Sequence, residues 1–315
     1  MPTLALVTGG AGFIGSHLVE RLLADGQRVR VLDDFSTGSM ANLPFADRHQ
    51  GALEVVRGDI RDLATVERAA AGAAVVFHQA AMRSVPRSVD DPLGANASNV
   101  NGTLHVLEAA RRAGIRRVVY ASSSSVYGDR PDLPKREDQP PAPISPYAVS
   151  KAAGEQYAAV WTSLYGVETV GLRYFNVFGP RQDPKSEYAA VIPRFILWGL
   201  RGEPLEVHGD GTQTRDFTFI DNVVEANVLA AAAEGAGGQV VNVGCGDRVS
   251  LLDIIGKLER LLGRPVNRRH LPARAGDVPH TLADIARAKR VLGYSPLVGF
   301  DEGFRRTMEF FRRAA

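Results

Sequence analysis

Short apolar runs alternate with longer amphipathic stretches along the chain as far as Phe175. Leu4–Thr8, Val29–Asp33, Leu53–Val56, Val75–His78, Arg117–Ala121 and Val167–Phe175 are rich in Val and Leu and predict strands. Between them, Phe13–Ala24, Leu63–Ala71, Ala95–Ala113 and Pro146–Tyr165 predict helices. In the first of these, Ile14, Leu18 and Leu22 form an apolar stripe at helical spacing. The strands are nearly continuous in apolar residues, so both of their faces need cover, and the alternation predicts an α/β protein with a parallel sheet. Beyond Phe178 the rhythm loosens. Prolines and charges gather in Gly179-Pro180-Arg181-Gln182-Asp183-Pro184, followed by a strand-like Val240–Gly244, a helix at Leu251–Leu262 and a final helix at Asp301–Arg313. This predicts a first domain of residues 1–177, to which 217–245 return, and a smaller interleaved C-terminal lobe of 178–216 and 246–315.

The loop after the first strand reads Thr8-Gly9-Gly10-Ala11-Gly12-Phe13-Ile14-Gly15-Ser16 and leads into a helix. Gly10, Gly12 and Gly15 fit G-x-G-x-x-G, and Gly9, Gly12 and Gly15 fit a looser glycine spacing. Such glycines allow a tight turn and let backbone N–H groups approach a pyrophosphate at the helix start, where Phe13 and Ile14 lie. A glycine pattern alone is weak, but here strand, loop and helix surround it. The second strand ends in Asp33, at about the ~20-residue offset of a ribose ligand. A carboxylate there accepts from a 2′-hydroxyl and repels a 2′-phosphate, which favours NAD over NADP. Asp34 is the neighbouring candidate, with a solvent-facing turn acid as its plainer reading. Asp59 and Ile60, after the third strand, are expected to flank the adenine. The fold class is a Rossmann-like doubly wound parallel sheet.

Composition narrows the partners. The 315 residues are 45% hydrophobic and 23% charged, ordinary for a globular protein, with a net charge of +2 and no long Lys/Arg run. Nucleic acid and anionic membranes are therefore not expected partners. A single cysteine, Cys245, permits no intrachain disulfide and fits a reducing compartment. The leading apolar run is too short for a signal peptide and no stretch approaches ~20 apolar residues, so a cytoplasmic location is expected. The seven histidines are scattered, and no metal site is expected.

The chemistry gathers around Tyr120-Ala121-Ser122-Ser123-Ser124-Ser125-Val126-Tyr127-Gly128 and Ser145-Pro146-Tyr147-Ala148-Val149-Ser150-Lys151. A serine run is ordinarily a turn, and a Tyr–Lys pair is ordinarily surface decoration. Yet the serines end a strand of an open α/β sheet, where ligands bind. Ser145 is a candidate N-cap and Pro146 a candidate first helical residue, which sets Tyr147 and Lys151 on one helix face. A free tyrosine titrates near ~10, and a neighbouring cation lowers it toward use as a base.

The glycine loop, the serine strand end and Tyr147-x-x-x-Lys151 resemble the extended short-chain dehydrogenase/reductase family. More narrowly, the chain resembles bacterial UDP-hexose 4-epimerases. That likeness is carried by His78-Gln79-Ala80-Ala81, Ser84-Val85-Pro86-Arg87-Ser88, Leu172–Gly179, Ala189-Ala190-Val191-Ile192-Pro193 and Gly209-Asp210-Gly211 through Arg215-Asp216-Phe217. The resemblance implies an isomerase with tightly bound NAD. Ser123, Tyr147 and Lys151 would be catalytic, and Ser122 structural. Gln79, Ala80, Ala81, Asn99 and Tyr174 would join the glycine loop in holding NAD. A UDP-sugar would meet Arg83, Ser84, Ser123, Ser124, Asn176, Ala190, Val191, Arg215, Arg274, Asp277 and Thr281.

Relatives that eliminate water or decarboxylate carry acids where this chain has Ser124 and Ser125, so the expected outcome is confined to C4. The small Ser124, Ala190 and Thr281 imply room for an N-acetyl group. Arg83 departs from the N-acetyl branch and points instead to plain sugars or a uronic acid. The expectation is that both acetylated and plain UDP-hexoses turn over. The alternative is a UDP-glucuronate 4-epimerase, and behind it stand a net oxidoreductase and a non-catalytic dinucleotide-binding regulator. The resemblance also implies a homodimer through the outer faces of Ala95–Ala113 and Pro146–Tyr165, including Trp161 and Leu164.

Overall fold

The computed structural model describes residues 3–184, 191–272 and 278–314. Seven strands form one parallel sheet: β1 (Leu4–Thr8), β2 (Arg28–Asp33), β3 (Leu53–Arg57), β4 (Val75–His78), β5 (Arg117–Ser123), β6 (Glu168–Tyr174) and, much later in the chain, Gln239–Val243. Its order runs from Gln239–Val243 through β6, β5, β4, β1 and β2 to β3, with every neighbouring pair parallel. The order reverses between β1 and β4, which opens a crevice at their carboxyl ends. Helices α1 (Phe13–Ala24), α2 (Leu63–Ala70), α3 (Val85–Asp90), α4 (Pro92–Asn96), α5 (Gly102–Arg112) and α6 (Pro146–Tyr165) connect the strands. Leu18 and Leu22 of α1 are buried, as their spacing requires.

Beyond β6 come β7 (Val177–Phe178), α7 (Val191–Arg201), β8 (Leu205–His208), β9 (Thr214–Arg215), β10 (Thr218–Phe219) and α8 (Ile220–Ala232). Gln239–Val243 is then β11, followed by β12 (Val249–Ser250), α9 (Leu251–Leu262), β13 (Arg268–Leu271), α10 (Ala286–Leu292) and α11 (Phe300–Ala314). The short strands pair as β7 with β10, β9 with β12 and β8 with β13.

Three local differences from the sequence pattern have physical causes. β5 runs two residues further than its apolar pattern, because Ser122 and Ser123 keep pairing with Arg173 and Tyr174 of β6. The expected helix over Ala95–Ala113 is interrupted by a π-helical turn at Ala97–Asn101, which turns the Asn99 side chain into the interior. Trp161, expected on the outer face, is partly buried: it packs against the core under β5 and lies beside Tyr157 and Tyr165. Among the described residues no helix is long and apolar enough to cross a membrane, and no group of three or more candidate ligand side chains could hold a metal ion.

A buried ion pair ties α6, β5 and β6 together. Glu155 of α6 receives Arg173 of β6 at 2.9 and 2.7 Å and the Ser122 hydroxyl of β5 at 2.5 Å. The guanidinium lies 4.7 Å from the Tyr127 ring centre. A buried cation that loses its partner costs about 3–5 kcal/mol. Glu155→Leu should therefore destabilise the protein by about that amount, read as a lowered urea midpoint with unchanged slope.

Candidate active site

The glycine loop folds under tight contact. Gly9 has φ +69°, and a Cβ on it would lie 2.7 Å from the backbone nitrogen of Ala80. A Cβ on Gly15 would lie 2.1 Å from the Gly9 carbonyl oxygen, so the helix starts against the loop itself. Gly12 is the N-cap of α1 and offers no side-chain acceptor, which leaves the first-turn amides around Phe13 and Ile14 for a bound anion. Asp33 is buried at the end of β2. Its carboxylate accepts from the amides of Ala11 at 2.9 Å and Phe35 at 2.8 Å, and burial holds its pKa above the usual carboxylate value. A carboxylate accepts about four bonds, so two ribose hydroxyls still fit. Asp34 is exposed and accepts from Ser36, the plainer of the two readings open for it. Asp59 holds Arg61 in an ion pair, and buried Ile60 packs where a Cβ on Gly102 would collide. An uncapped helix start, a loop only glycine can close and a half-satisfied buried carboxylate fit NAD.

The end of β4 turns through half-buried Gln79, Ala80 and Ala81. Gln79 donates to Asn227 at 2.9 Å and accepts from the Tyr174 hydroxyl at 3.2 Å, while Asn227 donates to that hydroxyl at 2.8 Å. Asn227 was not singled out from the sequence. The signal for it is a fully buried amide in the apolar helix α8. Asn99 clamps the next turn: it accepts from the Met82 amide at 2.8 Å and donates to the Met82 carbonyl and to Ser150. His78 carries the same network downward. Thr103 donates to the Asn99 carbonyl, so it accepts from His78 Nε2–H, and His78 Nδ1 accepts from Thr8.

The serine strand end and α6 meet above this floor. The Ser145 hydroxyl caps α6 on the Ala148 amide, with Pro146 in the first turn. Tyr147 is half-buried. Burial pushes its phenol up, and a hydrogen bond with Ser123 and the charge of Arg83 pull it back down. Lys151 Nζ lies 5.9 Å from the Tyr147 ring centre and donates to the Ala121 carbonyl at 2.8 Å. Burial pushes this lysine down to about 8. Arg83 thus adds a second cation beside the phenol, in addition to Lys151 on the helix face of Tyr147. Ser123 also receives the Ser125 hydroxyl at 2.9 Å and the Ser125 amide, with half-buried Ser124 beside it. Ser122 turns away to Glu155, a structural hydroxyl.

On the far wall, Asn176 (φ +27°) donates to the Asp216 carbonyl and to Thr281 Oγ1, each at 3.2 Å. Thr281 is thus a hydrogen-bonding member of the frame, more than a small pocket wall. Arg215 donates to the carbonyls of Thr214 and Pro279 at 3.0 Å. Ser84 caps α3 by accepting from Arg87, and Val191 opens α7. Ala190, Arg274 and Asp277 lie outside the described residues.

The fold is that of a dinucleotide-binding enzyme, and Ser123, Tyr147 and Lys151 come together at the carboxyl end of β5. Residues 5–244 match the NAD dependent epimerase/dehydratase family, and the chain belongs to that family. It is an isomerase of the epimerase kind, and its cofactor is NAD. A UDP-glucose 4-epimerase of Mycolicibacterium smegmatis is 45% identical over 98% of both chains. Among solved structures, a UDP-N-acetylglucosamine 4-epimerase from Methanobrevibacter ruminantium, in complex with UDP-N-acetylmuramic acid, superimposes with a TM-score of 0.94. Its identity is 38%, covering 100% of this chain and 99% of that one. A UDP-glucuronic acid 4-epimerase from Bacillus cereus, with UDP-glucuronic acid and NAD, gives 0.91 at 34% identity, covering 99% and 100%.

The buried histidines make stability pH-dependent. Burial lowers His78 from 6.5 to about 3; burial, with the charge of Arg181, lowers His17 to about 4. Both stay neutral in the folded protein while the unfolded chain takes up protons below 6.5. Their contribution is full above 6.5 and is lost as pH falls toward those values, by up to about 1.4 kcal/mol per pH unit for each histidine. Urea unfolding from pH 7 to 5 should show this slope, and His78→Asn should remove the His78 share and leave that of His17.

Proposed function

We propose that the protein is a UDP-hexose 4-epimerase that interconverts gluco and galacto forms through a 4-keto sugar, acting on UDP-glucose/UDP-galactose and on their N-acetyl counterparts. The observation that carries this reading is the meeting of Ser123, Tyr147 and Lys151 at the strand ends, with serines and no acids at 124 and 125. Tyr147 takes the proton of the sugar 4-hydroxyl and later returns it, with Ser123 bonded to the same oxygen. Lys151, held on the Ala121 carbonyl, would bind the nicotinamide ribose and, with Arg83, favour the phenolate. NAD, when bound, supplies the hydride acceptor and donor. Gln79, Tyr174 and Asn99 shape the floor beneath it. Asn176, Arg215 and Val191, with Arg274 and Asp277, take the diphosphate and uridine. Arginine suits phosphate because its planar fork donates two parallel bonds. Ser84, Ser124, Ala190 and Thr281 border the sugar. On this reading 178–216 and 246–315 form the substrate lobe, and the enzyme works in the cytoplasm.

A second reading, a UDP-glucuronate 4-epimerase, is favoured by one observation: half-buried Arg83 beside Tyr147, a cation placed for a sugar carboxylate. Proton NMR with UDP-glucose, UDP-N-acetylglucosamine and UDP-glucuronate in separate tubes, with and without added NAD, tests both. Galacto-type anomeric signals are expected in the first two tubes. Turnover of the uronate alone would favour the second reading, and silence in all three from folded protein would overturn both. Tyr147→Phe should lower kcat by about 10²–10⁴-fold while UDP still binds.

We also propose a homodimer. Leu93 of α4 is 82% exposed and Leu164 of α6 70%, with Val149, Tyr157 and Val160 exposed on the same long helix. A groove of about 630 Å³ lined by Pro92, Val100, Ile144, Val149 and Tyr157 joins the two helices. A second copy is the occupant that matches an apolar face shared by two adjacent antiparallel-capable helices. Light scattering at micromolar protein should give twice the 33.9 kDa chain mass, and Leu164→Asp should give the monomer; a monomeric wild type would sink the proposal.

A further inference from the structure

Arg215 is followed by a buried carboxylate that has no ion-pair partner among the described residues. The Asp216 side chain is 0% exposed. Its Oδ1 accepts from the Cys245 amide at 2.8 Å, and its Oδ2 from the amides of Gly246 at 3.0 Å and Ala283 at 3.1 Å. A Cβ on Gly244 would lie 2.8 Å from Oδ2, so the turn after β11 comes this close only as glycine. The main chain of the same residue is equally engaged. Its carbonyl accepts from Asn176 Nδ2, and its amide donates to Thr281 Oγ1 at 3.4 Å. Four segments thus meet at one residue: the end of β6, the β9–β10 junction, the turn after β11 and residues 281–283.

We infer that Asp216 is a positioning residue for the nucleoside-diphosphate half of the substrate, holding Asn176, Arg215 and Thr281 in one frame. This rests on the epimerase reading. A buried carboxylate is stabilised here by three backbone amides, and such an acceptor cannot be exchanged for an amide side chain without setting donor against donor. Among the described residues, the hydrogen-bond partners of Asp216 are Asn176, Thr281, Cys245, Gly246 and Ala283, and none is Ser123, Tyr147 or Lys151. Removal of the Asp216 carboxylate should therefore act on binding and leave the chemical step alone.

The probe is UDP itself, titrated calorimetrically into the whole protein carrying NAD, alongside steady-state kinetics. Asp216→Asn should weaken UDP by about tenfold or more, the loss of a charge-assisted hydrogen bond. KM for the UDP-sugar should rise in parallel, with kcat and NAD content held close to the wild type. Asp216→Glu, which keeps the charge, should recover part of the affinity. Equal UDP affinity in wild type and Asp216→Asn would overturn the inference, as would a variant that loses kcat and NAD together with affinity. If Asp216→Asn does not fold, Thr281→Val decides: weaker UDP binding supports the frame, and unchanged binding overturns it. Failure of the wild type to bind UDP would instead overturn the epimerase reading on which the inference stands.

Discussion

The site depends on the buried contact among Glu155, Arg173 and Ser122. Tyr147, Lys151 and Glu155 follow one another at four-residue spacing, so they share one face of α6. Glu155 anchors that face to β5 through Ser122 and to β6 through Arg173. The helix can then neither slide nor roll relative to the strand end that carries Ser123. Isolated buried charges are expensive, and this pair persists because each partner is also hydrogen-bonded or stacked within the same cluster.

A second polar network, beneath the first, sets the other wall. It runs from Thr8 at the end of β1 through neutral His78 to Thr103 and Asn99, and from Asn99 to Met82 and Ser150. Ser150 in turn donates to the Tyr147 carbonyl. The end of β1, the turn after β4 and the start of α6 are thereby linked into one hydrogen-bonded unit. The desolvation that drives Lys151 down to about 8 and His78 to about 3 is the electrostatic consequence.

The side that carries Asn176, Asp216 and Thr281 is built differently. There, short strands contribute little sheet, and backbone amides gathered on Asp216 stand in for it. This difference explains why the two halves were unequally legible. The strands and helices of the first half follow from local periodicity, because a parallel sheet buried on both faces demands apolar runs and covering helices demand apolar stripes. Beyond Phe178 the helices α9 and α11 were legible in the same way, but β7, β9 and β10 are two residues each, too short to show a period.

The sequence by itself determined what depends on near neighbours. Examples are the glycine loop, whose Gly9 and Gly15 contact needs residues without side chains, and the shared face of Tyr147 and Lys151, which follows from helical spacing. Ser145 as a cap and Asp33 at the end of β2 belong to the same class. Only the tertiary structure decided that Asn99 turns inward from a π-helical turn, that Trp161 packs against the core under β5 and that the charge of Arg83 bears on the phenol. It likewise joined Thr281 to Asn176 and Asp216 to Ala283. These partners lie 105 and 67 positions apart. Contacts at such separation leave no periodic trace in a single chain; they exist because the fold closes the intervening loops and removes the water that would otherwise satisfy the same groups.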